Sequence, residues 1–146
     1  MQLHPDQPGE AIRHCVESLT AGYIGLDFAA GARGGDLLRA DQNDLPDAQK
    51  DYWLFAHEMA EGDPVLIIAH HFPLALAVVD GGYNYMRRPA PEIGVWFRHF
   101  RSVRDVRYYG DYVTNAHNWQ RLTMTDTISP LRDSNSGSYQ LIEEWL

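Results

Sequence analysis

The chain holds one cysteine, Cys15, among 146 residues. A lone thiol cannot form an internal disulfide, and there is no Cys–His set with zinc-ligand spacing. Neither a disulfide scaffold nor a cysteine-rich metal module therefore accounts for the fold. A reducing compartment is the simple expectation. Long apolar runs are missing too: the two longest, 65–69 and 74–79, fall far short of the about 20 residues that cross a bilayer. They read as buried strands. The first residues, from Met1 to Asp6, have no basic region and no apolar stretch of the signal-peptide kind. The expectation is a soluble, cytoplasmic protein with no membrane association. Catalytic signatures are scarce as well, with no HExxH and no GxSxG. Gly31, Gly34 and Gly35 are grouped like a phosphate loop, but no Lys-Ser or Lys-Thr follows them. There is no internal repeat and no low-complexity linker, so residues 1–146 read as one domain.

What is present suits a globular domain with many turns. The hydrophobic share of 45% is enough for one core at this length. Twelve glycines and eight prolines favour short strands joined by turns over a helix bundle. The net charge is −8, which argues against a nucleic-acid partner until its distribution is considered. Residues 1–64 alone carry −8, whereas the 86–109 segment, with six arginines against Glu92 and Asp105, carries +4. Such a segment either forms a cationic surface or neutralises the acidic half from within.

Apolar spacing of three and four at Ile12, Cys15, Val16 and Leu19 predicts a helix over 10–20, closed by Gly22. Cys15 is then a small core residue. Residues 23–28 read as a strand, and 45–59 as a second helix with Tyr52, Phe55 and Met59 on its inner side and Gly62 beyond its end. The runs 65–69 and 74–79 pair around the turn at His70-His71-Phe72-Pro73. Residues 95–100 and 103–109 form one long or kinked strand. Helical structure is expected at 115–122, a strand at 123–128 and a closing helix at 139–146. Strands and helices do not alternate strictly, so the class is α+β with a curled mixed sheet or small β-barrel flanked by helices.

Histidines, seven in all, are the first candidates for chemistry. Adjacent His70 and His71 face opposite sides of a strand and cannot share one metal. Turn and surface histidines with satisfied rings are the plainer expectation, so no metal and no other cofactor is assigned. Glu143-Glu144 reads as a solvated helix face. The aromatics offer more. Tyr83 and Tyr85 alternate after a glycine break, so their rings share one face, and Trp96 follows a proline-rich loop that can fold it over them. Rings above and below a base, with hydrogen bonds to its edge, hold unstacked nucleotides. Nearby arginines would supply phosphate contacts.

The order of these pieces carries a family resemblance. His4-Pro5, Pro8-Gly9-Glu10, a helix, then Tyr23-Ile24-Gly25-Leu26-Asp27-Phe28 with Gly35-Asp36-Leu37 resembles the PUA-like superfamily, notably its EVE and YTH branches. The stretch 55–63 is similar to that group's helix, Gly-Asp and apolar strand. Val79-Asp80-Gly81-Gly82-Tyr83-Asn84-Tyr85 looks like its "V-x-G-x-Y-x-Y" passage, and residues 98–103 like its "H-x-R-x-V" strand. The match runs over nearly the whole chain.

The resemblance implies a small curled barrel with a pocket for a flipped or unpaired base. Members stand at the N-terminus of McrB-type modification-dependent restriction proteins, where they bind a methylated or otherwise modified base and perform no chemistry. This chain would then be a non-enzymatic specificity module. Its ligand would be DNA with a modified base, or RNA, and a nuclease or NTPase effector would act beside it. On this view Leu26, Asp27, Phe28, Tyr83, Tyr85, Trp96 and Asn115 contact the base. Leu26 stands where relatives often carry a Trp, whose place Trp96 or Trp119 would take. Asp27 or Asn115 would read the base edge. Arg87, Arg88, Arg98, Arg101 and Arg104 would contact phosphates. Two other readings compete: a metal-dependent hydrolase built on His71, His99, His117 and Asp111, and a protein-interaction module docking through the acidic half.

Overall fold

Helix α1 (Ala11–Thr20) buries His14, Cys15, Ser18 and Leu19 along one stripe, while Ile12 and Val16 are half-buried. The stripe is rotated toward His14 relative to the expected Ile12–Val16 face, because a ring from another segment packs there. Gly22 ends the helix with φ 86°, and its N–H donates to Leu19 O at 3.0 Å. That left-handed geometry is easy only for glycine. The structure, a computed structural model, describes residues 1–4, 8–28, 35–69, 71–110, 122 and 126–146.

Strand β1 (Tyr23–Leu26) follows directly. A series of 3₁₀ turns between 37 and 49 leads into α2 (Tyr52–His57), where one long helix over 45–59 was expected. Asp36 and Asp41 open the first two of those turns, ahead of the expected helix, each accepting the N–H two residues on; the third, Asp47–Gln49 after Pro46, takes the place of its first turn. Then come β2 (Pro64–Ala69), β3 (Phe72–Val79), the two-residue β4 (Asn84–Tyr85), β5 (His99–Tyr108) and α3 (Gly137–Trp145). Ser136 caps α3 by accepting from Tyr139 N. Of the expected strand at 123–128, residues 126–128 form a bend and the rest lie outside the described residues; of the expected helix at 115–122, only Leu122 is described.

The strands make one antiparallel sheet in the order β1-β5-β3-β2, with β4 also on β5. β5 is the organiser: its first half pairs with β1 and β4, its second with β3. Between Arg104 and Arg107 it has one more residue than β3 has between Leu76 and Val78, and Asp105 takes φ 53° there. Aspartate tolerates this left-handed state, and the bulge bends the sheet. A second irregularity, between Ile67 and Ile68 of β2, falls opposite Pro73, which has no N–H to contribute to a ladder. The result is α+β with a curled, half-barrel antiparallel sheet.

The concave side holds the main core, where Leu19, Ile24, Leu26, Phe55, Ile67, Leu74, Val79 and Phe97 are almost fully buried. The other side of β2 and β3 buries Leu66, Ile68 and Leu76 against Leu141 and Ile142 of α3. Close packing is most stringent at Gly25, where an added Cβ would lie 2.4 Å from His99 O and 2.5 Å from Phe97 Cγ. Among the described residues, no helix is long and apolar enough to cross a membrane.

Candidate functional site

Alternation along one segment sets the site. From 95 to 103 the odd positions, Val95, Phe97, His99, Arg101 and Val103, are buried, and the even ones are half-buried. Two polar residues thus sit in phase with the apolar ones. His99 lies between Leu26 of β1 and Tyr85 of β4, its Cα partners on either side.

Around His99 the rings converge. Tyr85 stacks on it with centroids 5.1 Å apart at 29°, and Phe28 meets it edge-on at 5.3 Å. Tyr83 lies at 6.1 Å, with its hydroxyl 2.8 Å from His99 Nδ1. The Tyr83 hydroxyl also accepts the Leu37 N–H at 3.0 Å. Tyr52 backs Phe28 at 5.0 Å, and Phe55 meets Tyr83 edge-on. Tyr83 and Tyr85 are half-buried, and His99 is fully buried. Burial, and after it the Arg98 charge, holds the His99 pKa down at about 4, so the ring is neutral at pH 7. Burial also pushes the Tyr83 phenol up, so it keeps its proton. Nδ1 is engaged by Tyr83, whereas His99 Nε2 is buried with no hydrogen-bond partner.

Asp27 borders the same patch. Its Oδ1 accepts from Phe28 N at 2.8 Å and Arg98 Nε at 2.6 Å, and Arg98 Nη2 lies 2.5 Å away. Its Oδ2 is buried and has no partner. Leaving a buried polar atom unpaired costs about 1–3 kcal/mol. Two such atoms, one on an imidazole and one on a carboxylate, lie on adjacent strand ends beside three aromatic rings. The rings and the unpartnered His99 nitrogen suit a planar polar ligand, with ring faces for stacking and a nitrogen for its edge.

Several sequence expectations change. Trp96, in the even phase, turns to α1: its ring lies flat on His14, 3.5 Å away at 5°, and its Nε1 donates to Glu17. It does not join Tyr83 and Tyr85. His14 Nδ1 and Ser18 Oγ are unpartnered beneath it, and His14 Nε2 lies 3.3 Å from Glu10 Oε2 without hydrogen-bond alignment. Leu26 is wholly buried in the core and lines no open surface. Arg101 is not on a cationic rim. Only 4% exposed, it donates to Phe55 O, Gly81 O and Ala56 O, tying α2 to the turn before β4. Arg98 is bound to Asp27, and exposed Arg104 pairs with Asp80 and Asp105. Arg87 and Arg88, one residue beyond β4, are exposed and make no ion pair or hydrogen bond with a described residue. The arginine segment therefore serves both internal neutralisation and, at 87–88, an open cationic patch.

Asn115, Trp119, Asp111 and His117 lie outside the described residues. His71 is exposed at the β2–β3 turn, beyond the level of Tyr108, and is separated from His99 by the length of β5. That is roughly 30 Å of strand, so the two cannot share a metal. Among the described residues no group of three His, Cys, Asp or Glu is placed to hold one. Cys15 is buried, its thiol pushed up to about 12 by burial, which makes it a packing residue.

A cleft of about 580 Å³ lies at the opposite edge of the sheet, between β2, the end of α2, residues 126–131 and α3. It is separate from the rings. No family model matches the chain, and no curated protein or solved structure matches it.

Proposed function

We propose that this chain is a binding module for a nucleobase, taken up at the ring cluster around His99 from a nucleic acid carrying a modified base. The observation that carries the reading is the ring cluster around a buried, unpartnered nitrogen: His99 Nε2 has no hydrogen-bond partner, and Phe28, Tyr83 and Tyr85 surround the His99 ring. With Nδ1 engaged by the Tyr83 hydroxyl, a base edge placing an acceptor at Nε2 would relieve it. Tyr85, half-buried on the two-residue β4, is the ring that moves to admit a planar ligand beside His99. Arg87 and Arg88 follow it and take the flanking phosphates. The curled sheet with flanking helices is compatible with a small barrel-like domain, and the PUA-like part of the reading is carried by the sequence motifs alone. The module binds without turnover, and cleavage or nucleotide hydrolysis belongs to a partner domain or subunit of a restriction system.

The test is a panel of oligonucleotides, single- and double-stranded DNA and RNA, each with unmodified or methylated cytosine or adenine. Fluorescence anisotropy is expected to single out one modified base by about tenfold or more, with Tyr85→Ala and Asp27→Asn losing that preference. Equal affinity across the panel would remove the reading.

A further inference from the structure

The cleft at the β2 edge has a consistent chemistry. Its wall and floor are apolar, with half-buried Leu54 and Met59, buried Ile128, and Leu131 left 36% exposed. Its rim carries Glu58, Asp63, Asp126 and Glu143, and no lysine, arginine or histidine lines it. Among the described residues, Arg132 lies 3.8 Å from Glu58 and the buried Arg101 guanidinium is close enough to Asp63 to feel its charge, whereas Asp126 and Glu143 make no ion pair. An apolar trough under four exposed carboxylates attracts a ligand that is itself apolar on one side and positive on the other. Backbone pairing is already blocked along the β2 edge: Gln2 bridges Ile68, and Ile68 N donates to Met1 O. Pro64 at the start of β2 has no N–H. An added strand therefore has little to bond, and a ligand must be held by side chains, as a helix in a groove is.

We infer that this cleft docks a basic amphipathic helix of a partner protein, with apolar side chains between α3 and residues 126–131 and Lys or Arg facing Asp63, Asp126 and Glu143. The ring cluster plays no part in it, so the two sites stand or fall separately.

The probe is a short helical peptide of Leu and Lys, with Leu on one face. Two controls accompany it, one with Glu replacing Lys and one with Ser replacing Leu. The Leu/Lys peptide is expected to shift the methyl resonances of Leu54, Ile128 and Leu131 in the intact chain. Anisotropy should show it binding at least about tenfold more weakly to the Asp126→Lys/Glu143→Lys variant. Both positions are exposed, so the variant keeps its fold, checked by an unchanged melting temperature. Tyr85→Ala should bind the peptide as the parent does. Equal binding of the Lys/Ser control, undiminished binding to the double variant, or shifts confined to the ring end would each overturn the inference. So would spermidine moving the same methyls with equal affinity, since it would assign the cleft to a small cation.

Discussion

The two edges of the sheet use the same materials in opposite ways. At the β1–β5–β4 edge, polar atoms are buried among rings and two of them have no partner, while the nearby unpaired charge, on Arg87 and Arg88, is positive. At the β2 edge, apolar side chains are left half-covered and the charge on the rim is negative. The first edge is under-satisfied in hydrogen bonds, the second in apolar contact. Unmet hydrogen-bonding capacity selects ligands by the pattern of their edges, whereas unmet apolar surface selects by shape and area, with charge steering the approach. A chain whose net charge is −8 can thus present a cationic patch at one end because internal pairing consumes its other cations unevenly. Arg101, Arg98 and Arg104 are committed within the fold; Arg87 and Arg88 are not.

Breaking that commitment should have the largest effect. Arg101→Ala strands three carbonyls between α2 and the 81–82 turn and should cost about 3–5 kcal/mol in urea unfolding. Arg101→Lys should recover only part, because a lysine lacks the fork that reaches all three. A rim arginine would instead show near-neutral stability and a binding defect.

Next comes the acid response of His99. The unfolded ring takes a proton near pH 6.5, the folded ring only near 4. Unfolding therefore takes up a proton between those values, so stability falls as pH drops from 6.5 and the loss levels off below 4. Its full size is about 3 kcal/mol. Comparing the pH dependence of unfolding in the parent and in His99→Gln should isolate this slope; parallel curves would show that His99 is not buried neutral.

A smaller effect is expected at Tyr85, whose replacement by Ala should weaken nucleic-acid binding by about 1–3 kcal/mol and leave the β2-edge cleft unaffected. The smallest concerns the open cations: Arg87→Ala with Arg88→Ala should lower the slope of log affinity against log salt by about 2 without changing which base is preferred. A change in preference would move base reading to the arginine patch.

Much of the fold was legible in the amino-acid sequence. Apolar spacing located α1 and the β2–β3 hairpin, and Gly22 marked the helix end because no other residue takes φ 86° as readily. The second helix was over-extended: after Pro46 the chain forms a 3₁₀ turn at Asp47–Gln49 and α2 runs only over Tyr52–His57, a change of turn type that apolar periodicity does not record. In the site, Tyr83 and Tyr85 were legible from alternation after the glycines. Trp96 and Arg101 were misplaced because they were weighed by type, ring and charge, and not by phase. Val95, Phe97 and Val103 already define an inward set at odd positions, which puts His99 and Arg101 inside and Trp96 outside. The partners of Arg101 are backbone carbonyls distant in sequence, and no residue pattern announces them. Asp27 pairing with Arg98 follows from the β1–β5 register, which depends on the assembled sheet.

The imidazole nitrogens of His99 report most directly on what the ring cluster does. Long-range ¹H–¹⁵N spectra recorded while the oligonucleotide panel is titrated in should show His99 Nε2 moving to a hydrogen-bonded shift with one modified base and staying put with its unmodified counterpart. An Nε2 signal unmoved by every oligonucleotide, while resonances around Arg87 and Arg88 respond to all of them alike, would contradict base uptake and leave only a charged surface.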